Sequence, residues 1–229
     1  MIKGPKCIGF FVAIIVMGIL QEELASARTG VAEKPAAGLS QTKEPAAIAG
    51  FRSARFGMTQ SKTLEAIRKD FNIAASDVKR EDNALERTLS LVVDVADLLP
   101  DAGLGRVVYI FGHKTKKLIQ VNVIWGIPVT AKPDAQALVA TANLLRNHFI
   151  KKEYAKDSLA LNQRLNEGTV LVFRGADQKG RMVLLLLNNP PKPESKDGKP
   201  DAMPKLSLRL SYIENPASPD IFQIKPGDF

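Results

Sequence analysis

One cysteine, two histidines and one tryptophan are all that this chain of 229 residues holds of the side chains that most often bind metals, attack carbonyls or stack on ligands. Cys7 lies in a stretch predicted to be removed, so the mature chain has neither thiol nor disulfide. With only His113 and His148 beside it, a cysteine-built zinc site and a three-histidine site are both excluded. The sequence also lacks a Gly-x-Ser-x-Gly elbow, a His-Glu-x-x-His helix, a P-loop and a dinucleotide fingerprint. Acidic residues are in deficit, 24 against 32 basic ones, which leaves a net charge of +8. The apolar run from Cys7 to Leu20 is shorter than the roughly 20 residues a helix needs to cross a bilayer.

That run follows a head carrying Lys3 and Lys6 and leads to Ala25-Ser26-Ala27. This is the layout of a secretory signal peptide, and it predicts cleavage after Ala27 and a periplasmic protein; the alternative is an uncleaved amino-terminal anchor. Export permits disulfides, so a domain without them must be stabilised by its apolar core. Removing Lys3, Lys6, Glu22 and Glu23 takes away equal charge of each sign, and the net charge stays at +8. The expected partners are therefore an envelope protein or an anionic envelope surface such as phospholipid, lipopolysaccharide or peptidoglycan carboxylates. Nucleic acid is not expected after export, and the mature chain has no transmembrane helix. Residues 28–50, rich in Ala, Pro and Gly, read as a flexible leader.

The domain at 51–229 alternates helix and strand signals. In "GMTQSKTLEAIRKDF", Thr59 is positioned to cap a helix whose stripe is Leu64, Ile67 and Phe71. Strands follow in "RTLSLVVDV", "RVVYIF" and "KLIQVNVIW", with Ile119, Val121, Val123 and Trp125 opposite Gln120 and Asn122. A second helix reads from "KPDAQALVATANLLRNHFIKK", with Asp134 as its cap and Ala135, Leu138, Val139, Ala142, Leu145 and Phe149 on one face. Then come "TVLVFRGADQKGRMVLLLL" as two strands and "KLSLRLSYI" as a third, separated by a Pro-rich insertion at 188–204. The expectation is an α+β fold of two helix-plus-three-strand units, about 51–130 and 131–229, forming an antiparallel sheet with the helices on one face. The tail beyond 213, with Ile221, Phe222, Ile224 and Phe229, is expected to pack onto the domain.

Gly57, Met58 and Thr59 opening a helix that contains Ile67, followed by a meander of strands, resemble a motif of the small periplasm-facing lipoproteins of the outer-membrane β-barrel assembly machine. Their fold is similar to that of the tandem β-lactamase inhibitor protein. The resemblance implies an envelope protein that binds other proteins and has no catalytic site.

Among single residues, Asp94, Asp97 and Asp101 are spaced loosely around a loop and lack the ligand pattern of a calcium hand. His148 reads as a half-buried residue beside the helix stripe, His113 as a solvated turn residue without a partner, and Trp125 as core. Lys114, Lys116 and Lys117 crowd one hairpin turn, and Lys179 and Arg181 mark the matching turn of the second half. Lysines near an anionic surface contribute about 1 kcal/mol apiece, so three give roughly 3 kcal/mol, short of the roughly 4.1 kcal/mol of millimolar binding. The first turn is therefore a site only if the second lies beside it.

The expected function is a non-enzymatic protein-interaction module, without cofactor or metal, using those five cations and a polar sheet face around Gln120 and Asn122. Two alternatives remain open on sequence: a small-molecule or lipid carrier lined by Leu184–Leu187 and Trp125, and a hydrolase of unfamiliar type.

Overall fold

The structure, a computed structural model, describes residues 43–189 and 206–224. The signal peptide, most of the leader, Phe229 and all but the first two residues of the Pro-rich insertion lie outside the described residues. From Glu44 onward the chain is an α+β fold dominated by strands.

A small ribbon comes first, β1 (Gly50–Phe51) against β2 (Ala54–Arg55). Helix α1 (Gln60–Phe71) starts at Thr59, whose hydroxyl accepts from the Lys62 amide, and stops at Asn72, a left-handed residue. Four strands follow: β3 (Lys79–Asn83), β4 (Thr88–Val95), β5 (Gly105–Phe111) and β6 (Leu118–Gly126). Helix α2 (Ala135–Phe149) is capped by Asp134, which accepts from the amides of Gln136 and Ala137. Four more strands come after it: β7 (Ala160–Asn166), β8 (Thr169–Ala176), β9 (Met182–Asn188) and β10 (Ser207–Ile213). All eight large strands join one antiparallel sheet in the order β3-β4-β5-β6-β10-β9-β8-β7.

Each helix is thus followed by four strands, not three. The additions, β3 and β7, are the two edges of the sheet, and their sequences, KREDN and ALNQRLN, are polar and mostly exposed. An edge strand held by a single neighbour needs no apolar alternation, and charge along it discourages pairing with another chain.

One core cluster holds Ala66 and Ile67 from α1, Leu138, Ala142, Leu145 and Phe149 from α2, and the alternating strand residues Leu91, Val107, Tyr109, Val121, Val123, Trp125, Phe173, Leu185 and Leu208. Within α2, Val139 and Ala135 depart from the expected apolar face: both are exposed, and Thr141 is buried in their stead with its hydroxyl donating to the Ala137 carbonyl. His148 is exposed rather than half-buried, its ring edge-on to Phe149 at 5.4 Å.

The leader ends earlier than position 50. Glu44 pairs with Lys152, the Ala46 amide donates to the Glu153 carbonyl at 2.7 Å, and Ile48 is buried. Residues 44–48 are a strap across the end of α2, not free chain.

Candidate functional site

Strand pairing brings the two basic turns to the same end of the sheet. Ile213, the last residue of β10, lies opposite Gln120 at the start of β6 on one side and Met182 at the start of β9 on the other. The turn at 112–117 therefore flanks the end of β10 on one side, and the turn at 177–181 flanks it on the other. Between them is a cleft of about 610 Å³ whose lining includes Lys117, Gln120, Lys179, Arg181, Glu214 and Asp220. That volume falls in the range of small-ligand sites.

The tail closes one wall. Leaving β10, residues 214–220 cross the end of β6, and Asp220 caps the first turn: its carboxylate accepts from the Lys114 amide at 2.9 Å, the Thr115 amide at 2.9 Å and the Thr115 hydroxyl at 2.6 Å. Gly112 makes this approach feasible, since a Cβ there would stand 2.2 Å from the same carboxylate. Burial raises the pKa of Asp220, but the Thr115 and Lys114 hydrogen bonds, with His113 nearby, outweigh it and hold the carboxyl below its ordinary value. Past Asp220, the Phe222 amide donates to the Glu86 carbonyl, the Arg87 guanidinium lies 3.8 Å from the Phe222 ring centre, and His113 meets that ring edge-on at 5.8 Å. His113 is accordingly half-buried with partners, Nδ1 lying 3.3 Å from the Arg87 carbonyl, rather than a solvated turn residue. Phe222 packs as expected of the tail, whereas Ile224 is exposed.

The second turn is fixed by Asp177, which is 5 % exposed. One of its oxygens accepts from the amides of Lys179 and Arg181, and the other from the Ile48 amide at 3.0 Å. Arg181 returns the contact by donating to the Ile48 carbonyl. The strap and the cleft thus share one residue pair.

Of the five cations expected to form a patch, Lys117, Lys179 and Arg181 line the cleft; Lys114 and Lys116 are exposed on the far part of their turn and do not. None of the three lining cations forms an ion pair among the described residues; the pairs present there are Arg106–Asp94 and Lys152–Glu44. Glu214, opposite them, accepts no side-chain hydrogen bond among the described residues; burial pushes its carboxyl up, Arg181 draws it down and Asp220 pushes it up again, for a net rise.

Gln120 and Asn122 do not form an open polar face. They are 4 % and 0 % exposed, and the Gln120 amide donates to the Asn122 carbonyl oxygen at 2.8 Å. Among the described residues, Gln120 Oε1 and Asn122 Nδ2 have no hydrogen-bond partner, and neither does the Nε of Arg209, whose guanidinium is pushed below its ordinary value by burial. The residues expected to line a carrier do not converge: Leu185 and Leu187 face the helix-bearing core with Trp125, whereas Leu184 and Leu186 belong to a separate cluster with Leu171. Asp94 is engaged by Arg106 through two hydrogen bonds, 2.6 and 2.8 Å, which hold its carboxyl below the usual range. Asp97 and Asp101 sit at positive φ in the following turns. No group of three or more metal-ligating side chains gathers among the described residues, and no described helix is long and apolar enough to cross a membrane.

Comparison with known proteins finds no matching family model, no similar curated protein and no similar solved structure.

Proposed function

We propose that this chain is an exported, non-enzymatic protein of the cell envelope that acts as a protein-interaction module, its contact site being the cleft between the two basic turns. The observation that carries the reading is the gathering of Lys117, Lys179 and Arg181, from turns more than sixty residues apart, around one cleft, none of them in an ion pair among the described residues. Cations converging on a concave surface attract an anionic group more strongly than the same charges scattered on a convex one. Export rests on the amino-terminal signal layout, with cleavage after Ala27 delivering the domain to the periplasm. The recurrence of a helix followed by a meander of strands accords with two related halves that meet at β6 and β10, and with the Gly57-Met58-Thr59 resemblance to lipoproteins of the β-barrel assembly machine.

The test is capture of an envelope protein by the purified chain at low and high salt. Lys117→Glu with Lys179→Glu is expected to reduce capture at least about tenfold at low salt, with the difference shrinking as salt rises. Loss that is independent of salt would sink the reading.

A further inference from the structure

The cleft is not simply basic. Lys117, Lys179 and Arg181 stand in it with two carboxylates, Asp220 and Glu214, so the lining carries one unit of net positive charge. The two carboxylates differ in what they still need. Asp220 is saturated by two amides and a hydroxyl. Glu214 accepts nothing from its own or neighbouring elements among the described residues, although Arg181 is close enough to act on it. A group seated between them has to offer anionic oxygens to the three cations and a hydrogen-bond donor to Glu214. Inorganic phosphate keeps a P–OH donor near neutral pH and so can also meet Glu214, but it brings more than one negative charge to a lining that offers one unit of positive charge. A run of acidic side chains overcompensates in the same way.

Building on the interaction-module reading, we propose that the cleft takes the free carboxyl end of a peptide chain: the terminal carboxylate lies among Lys117, Lys179 and Arg181, and the adjoining backbone N–H is donated to Glu214. One terminal carboxylate matches the single net charge of the lining, and a peptide end carries its donor within a few bonds of its anion. Ile213, Ala217 and Pro219 supply an apolar wall against which the last side chain rests. Capture of a terminal carboxylate is an established mode of peptide recognition, usually by backbone amides, and here the lysine and arginine side chains take that place.

The test uses ¹⁵N-labelled protein expressed from the full coding sequence, titrated with short N-acetylated peptides of mixed sequence. One pool has free carboxyl ends; a second, otherwise identical, is amidated; inorganic phosphate is a third arm. The free-acid pool is expected to shift the amide resonances of Lys117, Lys179, Arg181 and Glu214, with half-saturation about tenfold below that of the amidated pool. Lys179→Gln, an exposed change that leaves the Asp177-bound turn intact, should abolish most of that difference. Equal response to the two pools, no response to either, or saturation by phosphate at the same concentration would overturn the proposal. If the pools do not differ while envelope capture is still lost on reversal at Lys117 and Lys179, the interaction module stands and the terminal-carboxylate site falls.

Discussion

At the residue scale, the site depends on three carboxylates, two that hold its turns and one that is left without a hydrogen bond among the described residues. Asp177 is structural: buried, it holds the amides of Ile48, Lys179 and Arg181 at once, so the strap and the second turn are one assembly. Asp177→Ala leaves those donors unmet, at about 1 to 3 kcal/mol for each that stays buried, and a total loss on the order of 3 kcal/mol is expected in urea unfolding. A loss below about 0.5 kcal/mol would show that water replaces the carboxylate freely. Asp220 performs the same service for the first turn from the tail. Glu214 is the unsatisfied one. Its folded carboxyl holds a proton more tightly than the unfolded chain, whose ordinary value is 4.5. Stability from this group therefore rises as pH falls from the raised folded value toward the unfolded one, and the ionised form weakens the fold at higher pH. Glu214→Gln removes that dependence, so the variant should gain more over the native chain near pH 7 than near pH 4, as read from urea midpoints. An equal gain at both pH values would contradict the assignment. Neither turn-holding duty is legible in full in "ENPASPDIF" or "GADQKG", because Asp177 reaches back to Ile48 and Asp220 to Lys114, each more than a hundred residues away.

At the scale of elements, the strands that bury alternating residues were readable and the edges were not. Leu89 to Val95 and Ile119 to Trp125 announce β4 and β6 by period, and the caps at Thr59 and Asp134 mark where both helices begin. β3 and β7 carry no such period, since their outer edges have no neighbour and their side chains meet water. Nor does composition alone separate the strap at 44–48 from a leader; a single apolar residue, Ile48, anchors it. The same absence of pattern is protective in β3. Replacing Lys79 and Glu81 by valine would give the sheet a flat apolar edge, and concentration-dependent association should follow in light scattering. A variant that stays monomeric would mean that twist, rather than charge, guards this edge.

At the scale of the whole molecule, the sheet order makes the cleft. β6 and β10 meet at the middle, each the last strand of its series, so the β5–β6 and β8–β9 turns come to the same end with the β10 tail between them. Sequence could name both turns and their lysines but not this adjacency, which is set by strand pairing between residues nearly ninety positions apart. The central claim, a partner held in that cleft, is tested most directly by placing a photo-cross-linking amino acid at Ala217, on the cleft wall, in cells that export the protein. A discrete adduct of one size is expected, lost when Lys117 and Lys179 are both reversed to glutamate. No adduct, or one that persists undiminished in the reversed variant, would contradict the account.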